Sequence, residues 1–280
     1  MNRMKKRWLL FVFGALFIMT GIRSVMILSS EKEAVPPSAK FRAEQPKKPA
    51  AIRPAEPSTK TPAPDATKEA PIQATAKKTE RIISHTVPFT AQAPFGEWTD
   101  PHQQEGCEES TSLMAVLWAR GETEITKEAA KKEILAISAF EADKYDNYHD
   151  TSASNTLKII INEYFNYAKA EFRENSNLGE IKNELALGNV LILPMDGKKL
   201  KNPNFSHGGP ERHMIVIKGY DAHTGEFITN DPGTRRGESY RYAEVTIDSA
   251  WRDYLSGTHV PIKKIEKNLI IIHPQQAATR

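Results

Sequence analysis

Three textures follow one another along the 280-residue chain. An apolar run from Trp8 to Thr20 comes first and, after Gly21, Ile22 and Arg23, resumes from Val25 to Leu28. Large apolar side chains then all but vanish until Ile83, beyond which they return in periodic groups. Leu113, Met114, Leu117 and Trp118 recur at the spacing of one helix face, which predicts a helix over 106–120 that Gly121 stops. Thr126 caps a second helix reaching about residue 142. Ser152 or Ser154 caps a third running through Ile160 and Tyr164, and Asn177 a fourth that ends at Gly188. The pattern then changes to short Val- and Ile-rich runs bounded by Gly, Pro, Asn and Asp. These predict strands over 190–193, 213–220, 226–230 and 268–272, with a last short helix over 247–255. Helices first and strands afterwards predict an α+β domain over 81–280, its helices packed on one side of a mainly antiparallel sheet.

Charge divides the chain in the same places. Residues 1–30 carry five Lys/Arg and no Asp/Glu, residues 31–80 ten against seven, and residues 81–280 23 against 28. The domain is therefore acidic and the basic excess belongs to the N-terminal arm, which argues against a nucleic-acid partner. Arg3, Lys5, Lys6 and Arg7 directly before an apolar run form a topology signal. The 13 residues from Trp8 to Thr20 match a secretory signal core. Counted to Leu28, with Arg23 able to snorkel, the run has 21 residues and can span. No small-x-small cleavage site follows, so residues 1–30 are expected to be an uncleaved signal anchor, with a cleaved signal peptide as the alternative. Either places the rest outside the cytoplasm. Residues 31–80, with nine of the 18 prolines and eleven alanines, predict a disordered linker.

The single cysteine, Cys107, excludes an intramolecular disulfide and any multi-cysteine metal cluster, and no cofactor signature is present. Cys107 falls where a loop enters the first predicted helix. The helix dipole and first-turn amides there favour a thiolate and can donate to an oxyanion, whereas Glu108 and Glu109 oppose ionisation or simply stabilise the helix. A free cysteine can equally be a small buried apolar residue. A hairpin joining 213–220 to 226–230, closed near Tyr220 and Glu226, sets Ile215 opposite Asp231 and puts His213 on the same face as Asp231. A carboxylate there can fix one imidazole nitrogen and leave the other for the thiol. A structural histidine and a plain Asn-Asp-Pro-Gly turn are the bland counterparts. Zinc on Cys107, His207, His213 and Asp231 is disfavoured, because the spacing of His207 and His213 fits neither a helical pair nor a knuckle. His102 is expected in a loop, and His149, His223 and His259 in exposed turns.

The stretch Val87-Pro88-Phe89-Thr90-Ala91-Gln92, followed by Gln103-Gln104-Glu105-Gly106-Cys107-Glu108-Glu109, then His213 before an apolar strand and Asn230-Asp231-Pro232-Gly233, resembles the papain-like cysteine peptidases related to bacteriocin-processing, double-glycine-leader peptidases. The resemblance covers about 86–274. It implies a papain-like fold with Cys107 as nucleophile, His213 as general base and acid, Asp231 orienting His213, and Gln92 as the oxyanion side chain. The family's Cys-Gly-Pro is Cys107-Glu108-Glu109 here. Gln92 lies 15 residues before the cysteine, so Gln103 or Gln104 are alternatives for the oxyanion role. The segment 198–209 can form a lip over the cleft or a plain surface loop. The expected function is a membrane-tethered, extracytoplasmic cysteine peptidase acting on a peptide or protein. A cell-wall peptide amidase on the same fold, or an inactive binding module on a stalk, are the alternatives.

Overall fold

The structure, a computed structural model, describes residues 82–275; the predicted signal anchor and linker lie outside the described residues. Strand β1 (Ile82–Ser84) is followed by an extended segment and a short helix α1 (Pro101–Gln104). Asp100 caps α1 by accepting from the His102 amide, and Pro101 supplies a ready-made first turn. Helix α2 (Cys107–Ala119) starts at Gly106, where a β-carbon would run into the His102 carbonyl and Ile134. Almost every residue of α2 is buried, which makes it the central helix rather than an amphipathic surface one. Thr126 caps α3 (Lys127–Tyr145), and Asp146, in the left-handed conformation, ends it three residues beyond expectation. Ser152, not Ser154, caps α4 (Ala153–Asn155), which continues as a π-helix over Thr156–Tyr164. Among the described residues no helix is long and apolar enough to cross a membrane.

After the π-helix the next strand is β2 (Ala170–Arg173). It is followed by α5 (Leu178–Ala186), started by a capping box between Asn177 and Glu180. Next come β3 (Val190–Met195), a short α6 (Gly197–Leu200), β4 (His213–Asp221), β5 (Glu226–Asn230), β6 (Tyr240–Ala243), α7 (Glu244–Ala250) and β7 (Leu269–Ile272). The order β2-β7-β3-β4-β5-β6, with β1 also on β4, makes a seven-stranded sheet whose pairings are all antiparallel. The sequence pattern found β3, β4, β5 and β7, but not the short β1, β2 and β6. Ala-Glu-Phe-Arg and Tyr-Arg-Tyr-Ala at the two ends of the sheet order lack the Val/Ile run of a buried strand. The final helix, α7, starts three residues and ends five residues earlier than predicted.

The expectation of helices on one side needs correcting. Along β3, Val190 and Ile192 join a core with α2, α3 and the π-helix, while Leu191, Leu193 and Met195 join a second core with α5 and α7. Met214 and Val216 of β4 alternate with Ile215 and Ile217 in the same way. A sheet covered on both faces has apolar side chains at consecutive positions, which is why these strands read as continuous runs rather than alternating ones.

Candidate active site

Helix α2 packs on β4. Its first residue, Cys107, shares a cleft of about 550 Å³ with His213, the first residue of β4. The β4–β5 hairpin closes with Asp221 opposite Glu226, one residue off the expected tip. A bulge between Ile217 and Gly219 restores the expected pairing, Val216 opposite Asn230, so that Asp231 leaves β5 beside the histidine. His213 Nε2 and Asp231 Oδ1 are 2.7 Å apart, with both side chains fully buried. With Nε2 engaged, Nδ1 is the nitrogen left for a reacting group.

Asp231 is held from every side. Oδ1 also accepts from the Gly233 amide, and Oδ2 accepts from the Tyr242 hydroxyl at 2.6 Å and from Asn202 Nδ2 at 3.5 Å. Burial works against its charge. The His213 ring and these donors outweigh that cost and keep its pKa below the ordinary value. A β-carbon on Gly237 would run into the Asp231 carbonyl, so the loop after Asp231 closes only with glycine there. Segment 198–209 is more than a surface loop, because it contributes Asn202 and sets the Phe205 ring edge-on to His213 at 5.4 Å. Asn202, Phe205 and Tyr242 carried no sequence signal. The alternation of Tyr240 and Tyr242 is the one local signal that could have announced the strand delivering the last of them.

The three glutamines part company. Gln92 lines the cleft and is 6% exposed; its Nε2 donates to the Gln104 carbonyl at 2.6 Å, which leaves a second N–H. Gln104 lines the cleft too, whereas Gln103 is buried elsewhere with its amide on Asp100. The side-chain Oε1 of Gln92 has no hydrogen-bond partner.

The thiol's surroundings differ most from expectation. Cys107 Sγ donates to Glu108 Oε2 at 2.9 Å, while Glu108 Oε1 accepts from the Tyr254 hydroxyl at 2.7 Å and the Thr151 amide at 3.1 Å. Burial first, and then the Glu108 charge, push the Cys107 pKa well above its ordinary value, overriding the helix dipole. Glu108 and Glu109 are buried rather than surface first-turn acids. Burial, followed by the charges of Glu141 and Glu108, raises Glu109 well above the carboxylate range.

Burial and then the Glu108 charge raise Glu141 from 4.5 to about 8, against the opposing hydrogen bond from Thr151. The folded protein therefore holds a proton that the unfolded chain has released, and stability falls as pH rises between about 4.5 and 8. Melting temperatures taken across that range are expected to decline toward pH 8 and to decline less in Glu141→Gln. Parallel slopes in the two proteins would contradict this.

Of the histidines outside the pair, His102 and His149 depart from expectation, whereas His223 and His259 are exposed as expected. His102 sits in α1 with Nδ1 on Ser138 Oγ at 2.8 Å, and His149 is half-buried and stacked on Tyr148. His207 and His223 are exposed. His259 is exposed as expected but lines the cleft, where its ring, Glu105 and Asp150 bring potential ligand atoms within 4.8 Å of one another. Asp150 is already paired there with Arg212 Nε at 3.4 Å and with the His259 amide at 2.8 Å. A metal ion would have to share that carboxylate with a guanidinium.

A family model for the peptidase C39-like family matches residues 84–257. The chain belongs to the peptidase C39-like family. The matched stretch contains Gln92, Cys107, His213, Asp231 and Tyr254, while His259 at the cleft lies just beyond it. Among solved structures, the chain is similar to a Bacillus anthracis crystal structure described as that of a C39-like peptidase. The two share 14% identity at a TM-score of 0.39, over 70% of this chain and 99% of that one. No curated protein matches the sequence of this C39-like chain.

Proposed function

We propose that the chain is a cysteine peptidase in which Cys107 is the nucleophile, His213 the general base and acid, and Asp231 the residue that orients His213. The observation that carries this is the 2.7 Å His213–Asp231 pair, whose histidine lines the same cleft as a thiol at the start of a buried helix. His213 Nδ1 takes the thiol proton as Sγ attacks the peptide carbonyl carbon. The second Gln92 N–H and the first-turn amides of α2, which have no partner within the helix, stabilise the oxyanion. His213 then returns the proton to the leaving amine. A water gives its proton to His213 and its hydroxide to the thioester, which releases the acid and restores the thiol. The cationic N-terminus and apolar run support an anchor that holds the domain outside the cytoplasm on a linker.

One observation favours an inactive binding module instead: the thiol donates to Glu108, not to His213. Incubating the full-length chain with unfolded protein and, separately, with purified cell-wall peptides tests both readings. New peptide termini from the protein substrate, lost in Cys107→Ala, are the expected result. Release from wall peptides alone would mark an amidase, and no cleavage of either by a folded chain would leave the binding module.

A further inference from the structure

The cleft at Cys107 is one part of a longer groove. Gln92, Gln104 and Pro210 line both it and a neighbouring cavity of about 380 Å³ that holds Trp98 and Phe205. Trp98, Ser206 and Gly233 in turn line both that cavity and a third, of about 600 Å³, that ends at Arg235 and Arg236. The two ends have opposite charge. Glu105, Glu108, Asp150 and Glu211 line the first, where Glu108 is occupied by Tyr254, Thr151 and the thiol, and Asp150 by Arg212 and His259. Glu105 has no ion pair among the described residues, and Glu211 has only Arg252 at 3.9 Å. At the far end Arg235 and Arg236 are exposed and enter no ion pair among the described residues, and no carboxylate lines that cavity. Glu238 lies beside Arg235 in an adjoining pocket rather than in the groove. Between the ends, Trp98, 36% exposed, offers an aromatic face, and the nearly buried Gln92 leaves an unpartnered oxygen at the junction.

We infer that the groove takes an extended peptide of opposed charge: a cationic side chain or amine at Glu105 and Glu211, an apolar side chain on Trp98, and a carboxylate at Arg235 and Arg236. This specifies the substrate class of the peptidase proposed above and rests on that reading for its chemistry. An unstructured segment fits such a groove because exposed charges select by sign while contributing little affinity each.

The test uses the full-length Cys107→Ala chain and labelled octapeptides with the same apolar centre. Their termini carry Lys at one end and Asp at the other, in both chain directions, or the same charge at both ends. Fluorescence anisotropy is expected to show one mixed-charge direction binding about tenfold more tightly than the like-charged peptides, the difference shrinking with added salt. Glu105→Gln/Glu211→Gln should erase the preference for the cation alone, and Arg235→Ala/Arg236→Ala the preference for the acid alone. Equal binding of all peptides, or a preference that survives both double variants, overturns the inference. Digestion of the same peptides by the unsubstituted chain separates the two ideas. Cleavage indifferent to charge would leave the peptidase and remove the bipolar groove. Charge-selective binding without cleavage would do the reverse.

Discussion

Alanine in place of His213 is expected to lower kcat/KM for a cleaved peptide by about 10⁴-fold or more, because in the proposed mechanism one ring is both the base that ionises the thiol and the acid that frees the amine. The loss should fall on kcat, with KM little changed. Labelling by an electrophilic peptide probe should drop in parallel, since His213 is the base that the proposed mechanism pairs with the thiol. Asp231→Asn should cost less, because the amide oxygen can still accept from His213 Nε2 and the Gly233 amide while the Tyr242 hydroxyl turns to accept from the amide nitrogen. Asp231→Ala should keep a residual rate but also lose stability, as it strands the donors of His213, Tyr242 and Gly233 inside the protein. Probe labelling that persists undiminished in His213→Ala would remove the pair from the mechanism.

The second large effect is expected at Glu108 and has the opposite sign. Glu108→Gln keeps an acceptor oxygen for Tyr254 and the Thr151 amide, but puts an amide nitrogen in place of the oxygen that faces the thiol and removes the negative charge 2.9 Å from the sulfur. A like charge at that range raises a pKa by roughly one to three units, so its removal should speed alkylation of Cys107 by iodoacetamide near neutral pH by about tenfold to a thousandfold. The direction follows from linkage. The Cys107 pKa is raised partly by Glu108, so more thiolate is present at a given pH once the charge is gone. Burial raises the Glu108 pKa as well, so the two pH profiles should converge on the acid side, where the carboxyl is already neutral. Superimposed profiles throughout would mean that the carboxylate does not control the thiol. A faster thiol joined to slower turnover would show Glu108 placing the sulfur as well as quieting it.

The parts of this site that could be read from the sequence depend on local rules. Thr126 and Asn177 announce their helices because a capping side chain acts within three residues. The β4–β5 hairpin brought His213 and Asp231 together because a short antiparallel connection leaves few registers, and even the unforeseen bulge returned the pairing to the expected one. What stayed hidden acts across the chain. Tyr254 reaches Glu108 from 146 residues away, and Asn202 reaches Asp231 through a segment with no periodicity. The burial of Glu108 could not be foreseen either, since two acids in a first turn ordinarily face water and complement the helix dipole.

That long-range hydrogen bond from Tyr254 also sets an order of biogenesis. The chain is made from its N-terminus, and at about 5–20 residues per second the 146 residues between Glu108 and Tyr254 take on the order of 7–30 s to follow. Until His213 is made the nascent chain carries a cysteine without its histidine, and until Tyr254 is made the hydrogen-bonded shell around Glu108 stays incomplete. His213 and Tyr254 both come from the last third of the polypeptide, so a product truncated before them carries the thiol with neither group beside it.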